Sequence, residues 1–470
     1  MATCGLTGRV LEPGDPGYEE ARLDYNLALA ADYPRYIVFC EQEADVANAV
    51  RFARARGLPL RARSGRHSYE AYSVVDGGVV IDVSPMRRVR LDRGRRYARI
   101  GAGANLGTIY HALWDQGRRA IPGGTCGGVG IAGLALGGGM GLISRRHGLT
   151  CDALVGLEMV DARGERVVAD DASRPNLMWA SRGGGGGNFG VVTALSFRVV
   201  PVAEVTIFRI LWPWAALPEA LDAFQRWADP CGLDPRLSPV MNLKSRQVGN
   251  VAAFGQFLGP LRELEALVRP LVRAVPPTVV ELQAMTFIEA VDHFGGAAPG
   301  DGRFTLKATV EQGERFKNTS AYQYRLFDRA ALCVIRDHLG DTPGAACLIE
   351  VDAYGGRIAA VGDRATAFPH RQGVRSALQP QAYWETDAQG PAHVAWVDCL
   401  RRALAPYTAG GYVNYIDRDV PDWPRFYYGP NLERLVAVKR RYDPDNVFDF
   451  PQGLGRLGPG ACRSGAQSCR

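Results

Sequence analysis

The chain has 470 residues, 47% hydrophobic and 22% charged, a globular mix too long for one core, since single cores stop growing at roughly 250–300 residues. Its formal net charge of +6 comes from 55 Lys+Arg interleaved with 49 Asp+Glu, which argues against nucleic acid as a partner and leaves a modest field suited to an anionic cofactor or substrate. The N-terminus lacks a secretory signal and no run of about 18 apolar residues occurs, so the protein reads as soluble and cytoplasmic with no membrane partner. None of the 10 cysteines forms a CxxC pair. Zinc and thioredoxin-type readings therefore fail and no metal is expected, while a Cys462–Cys469 disulfide is allowed by spacing.

Along the chain, Glu43–Arg56 reads as a helix. Acidic residues occupy its first turn, Val46, Ala49, Val50 and Ala53 share one face, and Gly57 stops it. Strand-like runs follow at Pro59–Arg63, Gly78–Val83 and Tyr97–Gly101. Asn105 is placed to cap a helix running to Gln116 and closed by Gly117. After a glycine-dense stretch over 122–148, Leu157–Asp161 and Arg166–Ala169 read as a hairpin and Phe189–Val199 as a long strand. Composition changes at Pro201, Trp212, Pro213, Trp214 and Pro218. From there to residue 400, strands such as Cys347–Ala353 mix with helices such as Leu261–Val272 and Ala330–His338, a separate α+β unit. Asn431–Arg441 reads as a last helix, with Pro430 at its start.

Four stretches carry chemistry. Arg63-Ser64-Gly65-Arg66-His67-Ser68-Tyr69 is a small-residue turn between strands, where backbone N–H groups approach a phosphate. Its histidine is a metal ligand, a base, a site of alkylation by a cofactor or, most commonly, a loop residue satisfied by hydrogen bonds. Pro122-Gly123-Gly124-Thr125-Cys126-Gly127-Gly128-Val129-Gly130 leaves little bulk around a cysteine, so a flat aromatic ligand can lie against it; an inert thiol is the commoner fate. Its tail to Gly133 matches G-x-G-x-x-G, but it follows a poor central strand and Gly137-Gly138-Gly139 interrupts the helix beyond, which rejects a dinucleotide fold. Gly183 to Gly187 suit backbone packed on a ligand and lack the Gly-Lys-Ser/Thr of a phosphate loop. Gly411-Tyr412-Val413-Asn414-Tyr415-Ile416-Asp417 reads as a strand with Val413 and Tyr415 on one face and Asn414 on the other. A tyrosine there is a base if its phenolate is stabilised, and otherwise a structural side chain.

In this order the four stretches resemble the berberine bridge enzyme-like family of FAD-linked oxidases, of the vanillyl-alcohol-oxidase or para-cresol-methylhydroxylase (PCMH) flavin fold. The likeness extends to Val351-Asp352-Ala353-Tyr354-Gly355-Gly356, Tyr427-Tyr428-Gly429 and Tyr442-Asp443-Pro444-Asp445-Asn446-Val447-Phe448. It implies an α+β fold: a PCMH-type FAD-binding domain of two α/β subdomains over 1–200, a substrate domain with a helix-covered antiparallel sheet over 201–410, and a segment over 411–470 returning to the FAD domain. It also implies FAD attached through its 8α-methyl carbon to His67 and through C6 to Cys126. Ser64, Gly65, Arg66 and Ser68 would cradle the pyrophosphate, with Val129, Gly130, Gly133, Gly137, Gly138, Val192 and Asn446 along the cofactor. Tyr415 is the implied base, supported by Tyr354 or its rival Asp352, and Tyr69 lines the substrate side. Val129 holds a gatekeeper position at which valine favours oxygen as acceptor. Arg66 departs from the glycine usual before the histidine. The implied reaction oxidises an alcohol-type carbon of a small molecule (a sugar, glycoside or natural product) with O2 as acceptor and H2O2 as product. A flavin monooxygenase or oxidative cyclase and a non-enzymatic flavin carrier are the alternatives.

Overall fold

Strands Tyr36–Phe39 and Val79–Asp82 are buried at every position, as strands of a parallel sheet covered on both faces must be. They pair in parallel, Leu60–Arg63 joins beside Val79–Asp82, and Arg9–Leu11 adds antiparallel at the other edge. The computed structural model describes residues 3–295 and 313–457; the Cys462–Cys469 pairing lies outside the described residues. Helix Glu43–Ala55 buries Val46, Ala49, Val50 and Ala53, and the Asp45 carboxylate accepts the N–H groups of Glu41 and Gln42 at its start.

A second, antiparallel sheet runs in the order Val89–Leu91, Tyr97–Gly101, Val191–Arg198, Leu154–Val160, Arg166–Asp170. Helix Leu106–Gly117 starts where the Asn105 side chain accepts the Thr108 N–H at 2.9 Å. Its end differs from the expected glycine stop. Gly117 is the last helical residue, and Arg118 takes the left-handed conformation at φ +51°. A Cβ at 117 would stand 3.0 Å from the Leu91 side chain, so this glycine serves packing.

From Glu204 the chain builds a large antiparallel sheet, ordered Val279–Thr286, Glu204–Pro213, Asn250–Phe257, Leu237–Lys244, Cys347–Ala353, Ser376–Trp384. Arg315–Asn318 and Ala321–Gln323 both pair with the last of these. Helices Leu217–Trp227, Leu261–Ala274, Arg329–Gly340 and Gly390–Leu404 close one face over Trp212, Phe224, Ile335 and Leu400. Cys347, Ile349 and Val351 point into that core, so alternation turns Glu350 and Asp352 to the opposite face. There Tyr322, Tyr354, Phe368 and Tyr412 cluster with Leu149 and Cys151 of the glycine-rich half. Helix Leu432–Tyr442 returns to the first core through Leu435 and Val436.

Gly411–Asp417 is not the expected strand. Gly410 adopts φ +67°, and Val413–Tyr415 form a 3-10 turn in which the Tyr415 N–H donates to the Tyr412 carbonyl at 2.9 Å. The Asn414 amide donates to the Leu134 carbonyl and the Tyr412 hydroxyl. Turn chemistry thus overrides the strand preference of the tyrosines, and Asn414 and Tyr415 line one cavity together.

Candidate active site

That cavity has a volume of about 610 Å³ and is walled by residues from the segments 60–73, 124–140 and 185–192 and by residues of 314–318, 383 and 412–416. At its floor two backbones touch. A Cβ on Gly65 would lie 2.3 Å from the Gly130 nitrogen, and one on Gly130 would lie 2.6 Å from the Gly65 nitrogen. Only glycine at both positions lets the histidine loop and the cysteine loop meet.

His67 stands in this wall. Its Nε2 is buried without a hydrogen-bond partner, and the Tyr25 ring stacks on the imidazole at 4.7 Å. Burial lowers its pKa to about 4, so the ring is neutral near pH 7 and keeps a nucleophilic nitrogen. Ser64, Ser68, Val129, Gly133 and Val192 line the same cavity, as does Cys126, which is exposed at the wall. Arg66 lines it too, at φ +60°, the left-handed conformation that glycine adopts without strain. Its guanidinium lies 3.7 Å from the Asp82 carboxylate.

Three residues expected along the cofactor are not among those that line this cavity. A Cβ on Gly137 would collide with the Asn414 amide, and Gly138, at φ +135°, packs against Phe368 and Tyr412. These glycines admit neighbouring side chains. Asn446 forms a turn at φ +51° and donates to Asp449 at 3.1 Å, while Phe448, Asp449 and Phe450 reach the cavity in its place.

At the other end, Tyr415 stacks on Tyr69 at 5.5 Å and meets Tyr412 edge-on at 4.8 Å. Burial, then Tyr69, Asp352 and Glu350, hold its phenol well above the usual tyrosine range. Glu350 and Asp352 share one strand face. Burial raises Glu350 to about 7, and burial with the neighbouring Glu350 holds Asp352 well above the usual aspartate range. Tyr354 follows the end of the strand and is 1% exposed, packed edge-on against Tyr322 at 5.7 Å and off the cavity wall. The fold therefore brings Asp352 into the electrostatic surroundings of Tyr415 and sets Tyr354 in the packing behind it.

Residues 34–170 match the family described as FAD binding domain, and residues 411–455 match berberine and berberine like. The FAD-linked oxidoreductase YgaK of Bacillus subtilis (strain 168) is 39% identical, over 97% of this chain and 99% of its own. The chain belongs to the berberine bridge enzyme-like family of FAD-linked oxidoreductases. Among other members of this family, the aclacinomycin-N/aclacinomycin-A oxidase of Streptomyces galilaeus is 32% identical over 88% of this chain and 83% of its own. The structure of Physcomitrella patens BBE-like 1 superposes with a TM-score of 0.89, at 31% identity, over 96% of this chain and 98% of that one.

The cavity of this berberine bridge enzyme-like chain fits FAD. His67 offers an orphaned buried nitrogen, and a Cβ at Gly133 would meet nothing within 4 Å, so bare backbone faces the open volume. The volume lies within the range of enclosed ligand sites, about 300–1,000 Å³. Among the described residues no cluster of three metal-ligating side chains occurs, and no helix is long and apolar enough to cross a membrane.

Several residues of the site carry no motif. Glu350 had one available signal, the two-residue spacing from Asp352. A hydrogen-bonded ladder had none: Asn318 donates to the Tyr383 hydroxyl at 3.3 Å, Tyr383 to Gln381 at 2.9 Å, Gln381 to Gln379 at 3.1 Å, and Gln379 to the Tyr69 hydroxyl at 2.9 Å. Tyr25, whose hydroxyl donates to Glu314 at 2.7 Å, also escapes any sequence pattern.

Proposed function

We propose that this chain is an oxidase of a small-molecule alcohol (a sugar, a glycoside or a natural-product hydroxyl) that carries FAD covalently on His67 and Cys126 and passes electrons to O2. One observation carries the reading: a buried, neutral, unpartnered imidazole at 67 shares a wall with Cys126 and a cavity with Tyr415. The name of the aclacinomycin oxidase supports a natural-product glycoside as substrate. FAD, when bound, supplies acceptance of a hydride from carbon and return of two electrons to oxygen as hydrogen peroxide.

The protein does the rest. The His67 nitrogen and the Cys126 sulfur would hold the ring, and the loop 64–68 would hold the pyrophosphate through its backbone N–H groups. Tyr415 takes the proton of the substrate hydroxyl. Its own high pKa makes it a poor resting base, so it needs an acceptor for the phenol proton it passes on: Glu350, raised to about 7, is partly ionised near neutral pH and receives it, while Asp352 beside it is held protonated. Val129, small and at the cavity wall, leaves room for dioxygen.

Acid precipitation of the purified protein tests the attachment: the yellow colour is expected to stay with the pellet, and in Cys126→Ala to stay through His67 alone. Release of all FAD ends the covalent reading. On substrate, one H2O2 per product supports the oxidase, whereas oxygen-18 in the product indicates a monooxygenase.

A further inference from the structure

Tyr69 and Tyr415 come from distant parts of the chain, yet a single ammonium ties their neighbours. Lys317 Nζ lies 3.0 Å from Glu70, 2.6 Å from Asp417 and 2.8 Å from Asp419. Glu70 follows Tyr69 directly, and Asp417 is two residues past Tyr415. The side chains of Lys317, Glu70 and Asp417 are 9%, 4% and 1% exposed. Arg418 adds a second tie: its backbone N–H donates to Glu70 at 3.2 Å and its Nε to the other carboxylate oxygen. Arg401 stands 3.8 Å from Asp417. Three carboxylates thus meet three cations. Asp419 and Arg418 are 43% and 46% exposed, but the Lys317–Glu70–Asp417 centre is buried; a buried ionic centre is a poor source of stability, because desolvation offsets the attraction, and its best-attested use is to fix register.

We propose that Lys317 is a positioning residue: by clamping Glu70 to Asp417 it fixes the Tyr415 ring against Tyr69 and so sets the rate of proton transfer without touching substrate. The proposal rests on the reading of Tyr415 as the base. The neighbours of Lys317 act on the same pair. Phe316 meets Tyr69 edge-on at 5.1 Å, and Asn318 heads the ladder that ends on the Tyr69 oxygen. The groups that bear electrostatically on Tyr415 are Tyr69, Asp352, Glu350 and Tyr412. Lys317 reaches Tyr415 through its ties to Glu70 and Asp417, next to and two residues past the stacked rings, so the proposed influence is geometric.

The test compares Lys317→Met, Lys317→Arg and Tyr415→Phe in the flavin-loaded enzyme. Anaerobic reduction is followed with aclacinomycin A, and the Lys317→Met crystal structure supplies an arm that needs no substrate. Lys317→Met is expected to slow limiting reduction about 10- to 100-fold, the scale of an ångström misplacement, with unchanged substrate Kd and flavin content. Lys317→Arg restores most of the rate, and the crystal structure shows the ring stack disturbed. Reduction at the parent rate, a Kd shift that accounts for the whole loss, or an intact stack overturns the proposal. If Tyr415→Phe is itself as fast as the parent, the base assignment has failed; if it is slow while Lys317→Met is fast, only the clamp has. Should Lys317→Met not fold, Glu70→Gln weakens the Lys317–Glu70 tie directly: several-fold slower reduction supports the clamp, and an unchanged rate overturns it.

Discussion

The rings of Tyr69 and Tyr415 are parallel to within 1°, and the Tyr69 oxygen already accepts the Gln379 amide at 2.9 Å. The two phenols are therefore not equivalent. Tyr69 is held by the sheet, and Tyr415 has the two carboxyls of Glu350 and Asp352 in its surroundings. Tyr415→Phe is expected to slow anaerobic flavin reduction by about 10²–10⁴, the usual worth of general acid–base catalysis. Tyr69→Phe loses an orienting hydrogen bond and is expected to cost less. Stopped-flow bleaching of the flavin measures both, and a larger loss in Tyr69→Phe would exchange their roles.

Glu350 gives a pH dependence of stability. Burial raises its pKa from 4.5 to about 7, so the folded state binds this proton more tightly than the unfolded chain does. Its contribution is fully present below the unfolded pKa and is lost as pH rises through the folded one. Glu350→Gln cannot ionise. Its Tm should fall less than the parent's between pH values on either side of that window. Thermal melts that run parallel across the window would show that the carboxyl ionises as readily folded as unfolded.

The cofactor end of the site was legible in the sequence and the substrate end mostly was not. Gly65, His67, Cys126 and Gly130 sit in contiguous loops whose backbone makes the contact, so local composition reports on them. Glu350, Asn318, Gln379 and Tyr383 meet only through strand register in a large sheet, which no local pattern encodes. Strand parity over Cys347–Ala353 places Glu350 on the face of Asp352. It fails for Tyr354, which lies just past the strand end, and for Tyr415, where a 3-10 turn replaces the strand. Tyr25 reaches His67 because residues 25–27 pair with Glu314, a contact between distant segments.

The contact between Gly65 and Gly130 predicts two different failures. In Gly65→Ala the new methyl meets backbone at 2.3 Å, which cannot yield as a side chain does. Overpacking of this kind costs about 1–3 kcal/mol, and the variant should be both less stable and pale. Gly133 lies in helix Ile131–Gly137, and a methyl there meets no protein atom within 4 Å. Gly133→Ala should gain about 0.5–1 kcal/mol from the helix and still lose flavin, because the methyl occupies cofactor space. Urea melts beside the flavin-to-protein absorbance ratio separate the two cases; full flavin loading in Gly133→Ala would place the ligand elsewhere.

Lys439 predicts how the C-terminal segment supports the cavity. Its ammonium, 1% exposed, donates to the carbonyls of Asn188 and Phe448 and pairs at 2.6 Å with an Asp443 carboxylate that is 0% exposed. Asn188 and Phe448 both line the cavity. Lys439→Met strands a buried carboxylate, a loss of about 3–5 kcal/mol, and flavin content should fall with it. Adding Asp443→Asn removes the stranded charge at the smaller cost of one hydrogen bond, since the Val447 and Phe448 N–H groups donate at 2.8 Å to different oxygens of Asp443 and the amide keeps one acceptor. The double variant should therefore be more stable than Lys439→Met alone in a urea melt. If it is less stable, the bonds from Lys439 to the two carbonyls, not the ion pair, hold the segment in place.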